Sequence, residues 1–129
     1  MTAEQAVRAR ALAVLAGDSD LAGRVHGIFD GAARRASAPY VVVGAAESGD
    51  WGTKDQPGRE VRLTVTLVGV DPGGPGDAGA RIGALAPMLR GAGEGWTIAA
   101  VRTLRSRFSL RRAGGWQQDM IVRCRCLAG

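Results

Sequence analysis

Val61, Leu63, Val65 and Leu67 alternate with Arg62, Thr64 and Thr66, so one set of side chains faces a core and the other faces water. A strand of this kind needs a sheet around it and a layer covering one face only, which commits the chain to a layered fold. Two later runs follow the same rule. From Trp116 to about Leu127, Met120, Val122, Cys124 and Cys126 fall on one face and Ile121, Arg123 and Arg125 on the other. From Trp96 to Leu110, Ile98, Ala100 and Arg102 alternate with Ala99, Val101 and Thr103 until the phase changes near Leu104, where a bulge is expected. The β-branched block Tyr40-Val41-Val42-Val43 reads as a fourth, buried strand.

Helical spacing occupies two other stretches. Ala6, Val7, Ala9, Leu12, Ala13 and Leu15 recur at intervals of three and four, with Thr2 placed to cap the helix and Gly17 to end it. Asp18 then caps a short turn through Leu21 and Ala22. Ile82, Leu85, Ala86 and Leu89 mark a second helix ending at Gly91, with Asp77 as its expected cap. Val25 to Phe29 is a short apolar run, Gly31 to Pro39 is small, basic and irregular, and Gly44 to Gly58 reads as a loop or a loosely paired hairpin connection. The order α-β-β-α-β-β predicts one α+β domain over residues 1–129: a mostly antiparallel sheet of about four strands with two main α-helices packed on one face. With 46% hydrophobic residues and six aromatics, its core is built from Val, Leu, Ile and Ala.

Catalytic chemistry finds few residues to use. Gly74-Pro75-Gly76-Asp77-Ala78-Gly79 has the spacing of a dinucleotide loop, but the strand before it alternates like an antiparallel one and too little chain follows to complete that fold. Cys124, Cys126 and His26 are too few and wrongly spaced for a zinc site; the thiols read as small core residues and His26 as a boundary residue. Acidic residues are scattered singly, so no pair is set for acid–base work. The expectation is no enzyme, no cofactor and no metal. Only two cysteines occur, no apolar stretch approaches the ~18 residues of a membrane span, and the start of the chain lacks the pattern of an export leader, so a reduced cytosolic origin and no membrane partner are expected.

Charge is the feature left over. Seventeen bases, sixteen of them Arg, against twelve acids give +5. Arg102, Arg105, Arg107, Arg111, Arg112, Arg123 and Arg125 face a single acid, Asp119, beyond residue 100. If the last two strands pair, the polar face of their hairpin is an arginine surface that DNA phosphate, an acidic protein or water can meet.

Asp20-Leu21-Ala22-Gly23-Arg24-Val25, Ala38-Pro39-Tyr40-Val41-Val42-Val43-Gly44, Asp50-Trp51-Gly52-Thr53-Lys54, the strand Val61 to Val70 and the arginine hairpin stand in a distinctive order. Together they make the chain resemble the tail terminator, or tail completion, proteins of long-tailed phages and gene transfer agents. The resemblance implies a structural subunit of the virion tail. It would form a homo-oligomeric ring, a hexamer, at the head-proximal end of the tail tube, stop tube polymerisation and join the head–tail connector, with DNA passing through the ring. In that setting Trp51 and Lys54, in the loop after Gly44, are expected to touch a neighbouring subunit, the tube or the connector, because a large apolar side chain in a polar loop is costly unless covered. The seven C-terminal arginines would line the channel or meet the next ring. Two features depart from the pattern: the turn Arg111-Arg112-Ala113-Gly114-Gly115 in place of an Asp-Gly type turn, and the basic segment Gly31 to Ala38. The competing reading is a nucleic-acid-binding module that uses the same arginine hairpin, though scarce Lys and aromatics argue against it.

Overall fold

A computed structural model of the chain describes residues 1–32, 36–52 and 54–129. The expected Arg34 and Arg35 of the basic segment, and Thr53, lie outside the described residues. Among the described residues six strands form one sheet: β1 (Ile28–Asp30), β2 (Tyr40–Asp50), β3 (Gly58–Gly69), β4 (Gly91–Gly93), β5 (Trp96–Leu110) and β6 (Trp116–Ala128), in the order β1-β2-β3-β6-β5-β4. Every pair is antiparallel except β1 with β2. The described residues also form three helices, α1 (Ala3–Ala16), α2 (Ser19–Ala22) and α3 (Gly76–Leu85), and a 3-10 turn over Ala86–Leu89.

The mixed α+β layering matches the sequence reading, but the expected four strands are six and α2 adds a third helix. The extra strands β1 and β4 hold three residues each at the two ends of the sheet. Segments that short carry no period of their own and pair because a longer neighbour is beside them. β2 also continues through Gly44 to Asp50, where a loop or loose connection was expected. A bulge between Val43 and Ala46 resets its register, after which Ala46 to Asp50 pair with Leu63 to Arg59.

The core is one cluster between the helices and one face of the sheet. Val41, Val43, Val61, Leu63 and Leu67 from the sheet are fully buried, as are Val7 of α1 and Leu21 of α2. Thr2 caps α1 through a reciprocal pair with Gln5, and Asp18 caps α2 by accepting from the Leu21 amide at 2.9 Å. The buried stripe of α1 is Ala3, Ala6, Val7, Ala11 and Leu15, while Ala9 and Ala13 are exposed. With alanine on several sides of the helix, the packed face could not be chosen by side-chain size. α3 is not capped by Asp77: its N-cap is Pro75, without a side-chain bond, and Asp77 lies in the first turn. Pro87 tightens the last turn into the 3-10 segment.

Candidate functional site

β5 and β6 form the longest pairing in the sheet, from Trp96↔Ala128 to Leu110↔Trp116. Bulges sit at two places on β5, between Ile98 and Ala100 and between Thr103 and Arg105. The second is where the sequence phase changes; the first moves Ala100 and Arg102 off the face of Ile98. As a result Arg102, Arg105 and Arg107 share the outer face with Arg123 and Arg125, opposite the helices. Five of the seven arginines named from the sequence therefore lie on one face of the hairpin.

Register extends it. Arg62 of β3, Arg123 of β6 and Arg102 of β5 are cross-strand partners in one row, with Glu47 of β2 at its end. Neighbouring strands lie about 4.8 Å apart, so three guanidinium-bearing side chains stand side by side. In the next row Glu60 lies between Arg62, at 3.5 Å, and Arg125, also at 3.5 Å. Asp119 is engaged by Thr66 Oγ1, which donates at 2.6 Å, and by Gln117 Nε2 at 2.9 Å. Among the described residues, Arg102, Arg105, Arg107, Arg112 and Arg123 make no ion pair. Arg102 and Arg123, like charges set this close with no ion-pair partner among the described residues, are an arrangement that an anionic partner relieves.

The other singled-out residues separate into two groups. Trp51, at the end of the β2–β3 hairpin, is half-buried against its own subunit, with the Arg125 guanidinium 5.4 Å from its ring centre. Lys54 is exposed in the same loop. Arg111 and Arg112 sit in the β5–β6 turn, where Arg111 donates to Tyr40 Oη at 3.3 Å and Arg112 is exposed. That turn uses Gly114 and Gly115 at φ +95° and +79°. At Gly115 a Cβ would lie 2.4 Å from the Gly69 carbonyl oxygen, which excludes a side chain where the hairpin returns.

Arg8 and Arg10 were not singled out by the sequence. Arg8 reaches from α1 to the carbonyl oxygens of Val43 and Gly44 and pairs with Asp30, holding the bulged part of β2 and the end of β1. Arg10 donates to the Met88 and Arg90 carbonyls at 3.3 and 3.2 Å. Their partners lie far away in sequence, so no local signal marks them.

The described residues singled out for possible chemistry stand apart from one another. His26 is exposed, with Nδ1 3.0 Å from the Ser37 carbonyl oxygen. Cys124 and Cys126 are fully buried free thiols. Among the described residues no cluster of His, Cys, Asp and Glu is arranged to hold a metal ion, and no helix is long and apolar enough to cross a membrane.

No curated protein matches the chain. Among solved structures, a chain from the virion of a native gene transfer agent particle superposes with a TM-score of 0.72 at 22% identity, over 94% of both chains, and so shares the fold. The family model of tail completion protein gp17 matches residues 5–126. The chain therefore belongs to the tail completion protein gp17 family, whose members are structural proteins of virion tails and not enzymes.

Proposed function

We propose that the chain is a tail terminator. Six copies form a ring on the head-proximal end of the tail tube, stop its polymerisation and present the seat for the head–tail connector, with DNA crossing the lumen. The observation that carries this reading is the family match over nearly the whole chain, residues 5–126. The arginine face supports it, because Arg102, Arg105, Arg107 and Arg123, without ion-pair partners among the described residues, suit a lumen crossed by phosphate or a seam against an acidic surface. Lys54 and the open side of Trp51 stand at the tip of the β2–β3 hairpin and are assigned to contacts with a neighbouring subunit, the tube or the connector.

The test adds the purified chain to its tail tube protein under polymerising conditions. Tubes should stop growing and carry a ring at one end by negative-stain microscopy, and the native mass of the capping assembly should be a multiple of six copies. Tubes that lengthen unchanged, together with a monomer that retards duplex DNA with a steep loss of affinity in salt, would overturn the terminator in favour of the nucleic-acid module.

A further inference from the structure

We propose that copies of this chain join edge to edge: the open half of β5 in one copy adds antiparallel to the open half of β2 in the next, and Arg102 meets Glu47 across the boundary. The proposal rests on the ring reading above and names the surface that closes the ring.

Both edges are open among the described residues. β1 covers β2 only from Val41 to Val43, and β4 covers β5 only from Trp96 to Ile98. Ala45–Asp50 and Ala99–Leu110 therefore each present one side of the backbone without a strand partner. An exposed edge is a template for another strand; neither carries a proline or lysine, and the regular stretch of the β5 edge is Ala100–Thr103, between its two bulges, which contains Arg102. The two edges lie at opposite sides of the sheet, so a contact between them is heterologous. Each added copy offers the same free edge again until a ring closes.

Direction and height agree as well. Three antiparallel pairings separate β2 from β5, so the two strands run oppositely. A rotation about an axis along the strands preserves that direction and keeps each row level with its counterpart. The row Glu47–Arg62–Arg123–Arg102 would then be continued by Glu47 of the next copy, and the row Gly49–Glu60–Arg125–Ala100 by Gly49. Glu47 and Arg102 are both exposed, and neither has an ion-pair partner among the described residues of its own copy.

Charge distribution makes a second copy the fitting occupant. Residues 101–129 hold seven arginines against one acid, while residues 1–100 hold eleven acids against ten bases. The open part of β2 carries Glu47 and Asp50, and Glu4 lies close by, its carboxyl held below the usual range by a hydrogen bond from Ser48. A basic strand edge and an acidic one at matching heights on one chain complement each other between copies.

The test uses the full chain. In the pair Glu47→Cys with Arg102→Cys, two strands lie between the positions within one copy, about 14 Å in all, beyond the reach of an internal disulfide. Oxidation should give a ladder of covalent multimers on a non-reducing gel that ends at the ring size. Each single variant should stay at one chain length. Independently, Glu47→Arg and Arg102→Glu should each raise the dissociation constant of the ring at least tenfold, and an equimolar mixture of the two should recover it, because each variant then finds the opposite charge on its neighbour. Circular dichroism of every variant checks that the fold is kept. Wild-type rings with no ladder, unmoved by either charge change, would overturn the edge contact and leave the ring reading intact. A wild-type chain that gives neither ring nor ladder, alone or on its tail tube, would overturn both.

Discussion

Cys124 and Cys126 stand two residues apart on the covered face of β6, both with no exposed surface. Burial pushes the Cys124 thiol up to about 12 and, with Glu4 adding to the effect, the Cys126 thiol up to about 11. Since the thiolate is the reactive form, neither should react with a disulfide reagent at pH 8 while the chain is folded, and two equivalents should react at once in denaturant. Native reactivity of even one equivalent would mean that β6 opens locally. Asp18 supplies a titration in the accessible acid range. Its carboxylate caps α2 and receives two bonds from Arg81, at 2.9 and 2.6 Å. Those Arg81 bonds, then the Leu21 amide, hold it at about 2 against an ordinary 3.8. A lowered pKa stabilises the fold above 3.8 and loses that contribution as pH falls towards 2. Asp18→Asn should therefore lower the melting temperature at pH 7 and flatten its decline between about pH 4 and 2. A decline as steep as in the wild type would show that other carboxylates govern acid unfolding.

At the level of elements, the central strands β3 and β6 set the stability, because they are paired on both sides while β1 and β4 sit at the edges. Leu63 is fully buried and paired with Val122 and Ala46. Leu63→Ala should cost about 2–5 kcal/mol in urea unfolding. Thr64→Ala, on the outer face of the same strand, should cost less than about 1 kcal/mol. The same contrast explains what was legible beforehand. β3 and β6 could be read because each buries one face and so writes a period of two into its residues, while β5, buried only at Ile98, shows that period only before the phase change near Leu104. The arginine face followed from that period, since Arg123 and Arg125 alternate with Cys124 and Cys126. β1, β4 and the second half of β2 could not be read: Gly91-Ala92-Gly93 and Gly44 to Asp50 carry no apolar alternation, and only the strand beside them holds them extended. The row joining Arg62 to Arg123 and Arg102 was hidden for a related reason. It depends on the order of strands across the sheet and on the bulge between Ile98 and Ala100, which no local pattern announces.

For the whole molecule, two electrostatic effects oppose each other when copies meet. Each copy carries +5, and two such charges about 30 Å apart repel by about 3.5 kcal/mol in unscreened water. Screening reduces this to about 0.1 kcal/mol at 0.15 M salt, where the Debye length is about 8 Å, but leaves above ~1 kcal/mol at 0.01 M, where it is about 30 Å. An exposed ion pair such as Arg102 with Glu47 of the next copy contributes about 0.2–1 kcal/mol, and high salt weakens it in turn. The local pair outweighs net repulsion near physiological salt and is outweighed well below it. Self-association followed by sedimentation velocity should therefore be strongest at intermediate ionic strength and fall towards both ~0.01 M and ~1 M salt. Glu47→Gln, which removes the pair and raises the net charge, should weaken association most at low salt and leave a profile that only rises as salt is added. A wild-type profile of that same rising form would show that apolar contacts, through exposed side chains such as Phe108 and Leu110 at the hairpin tip, hold the copies together instead of the charged edges.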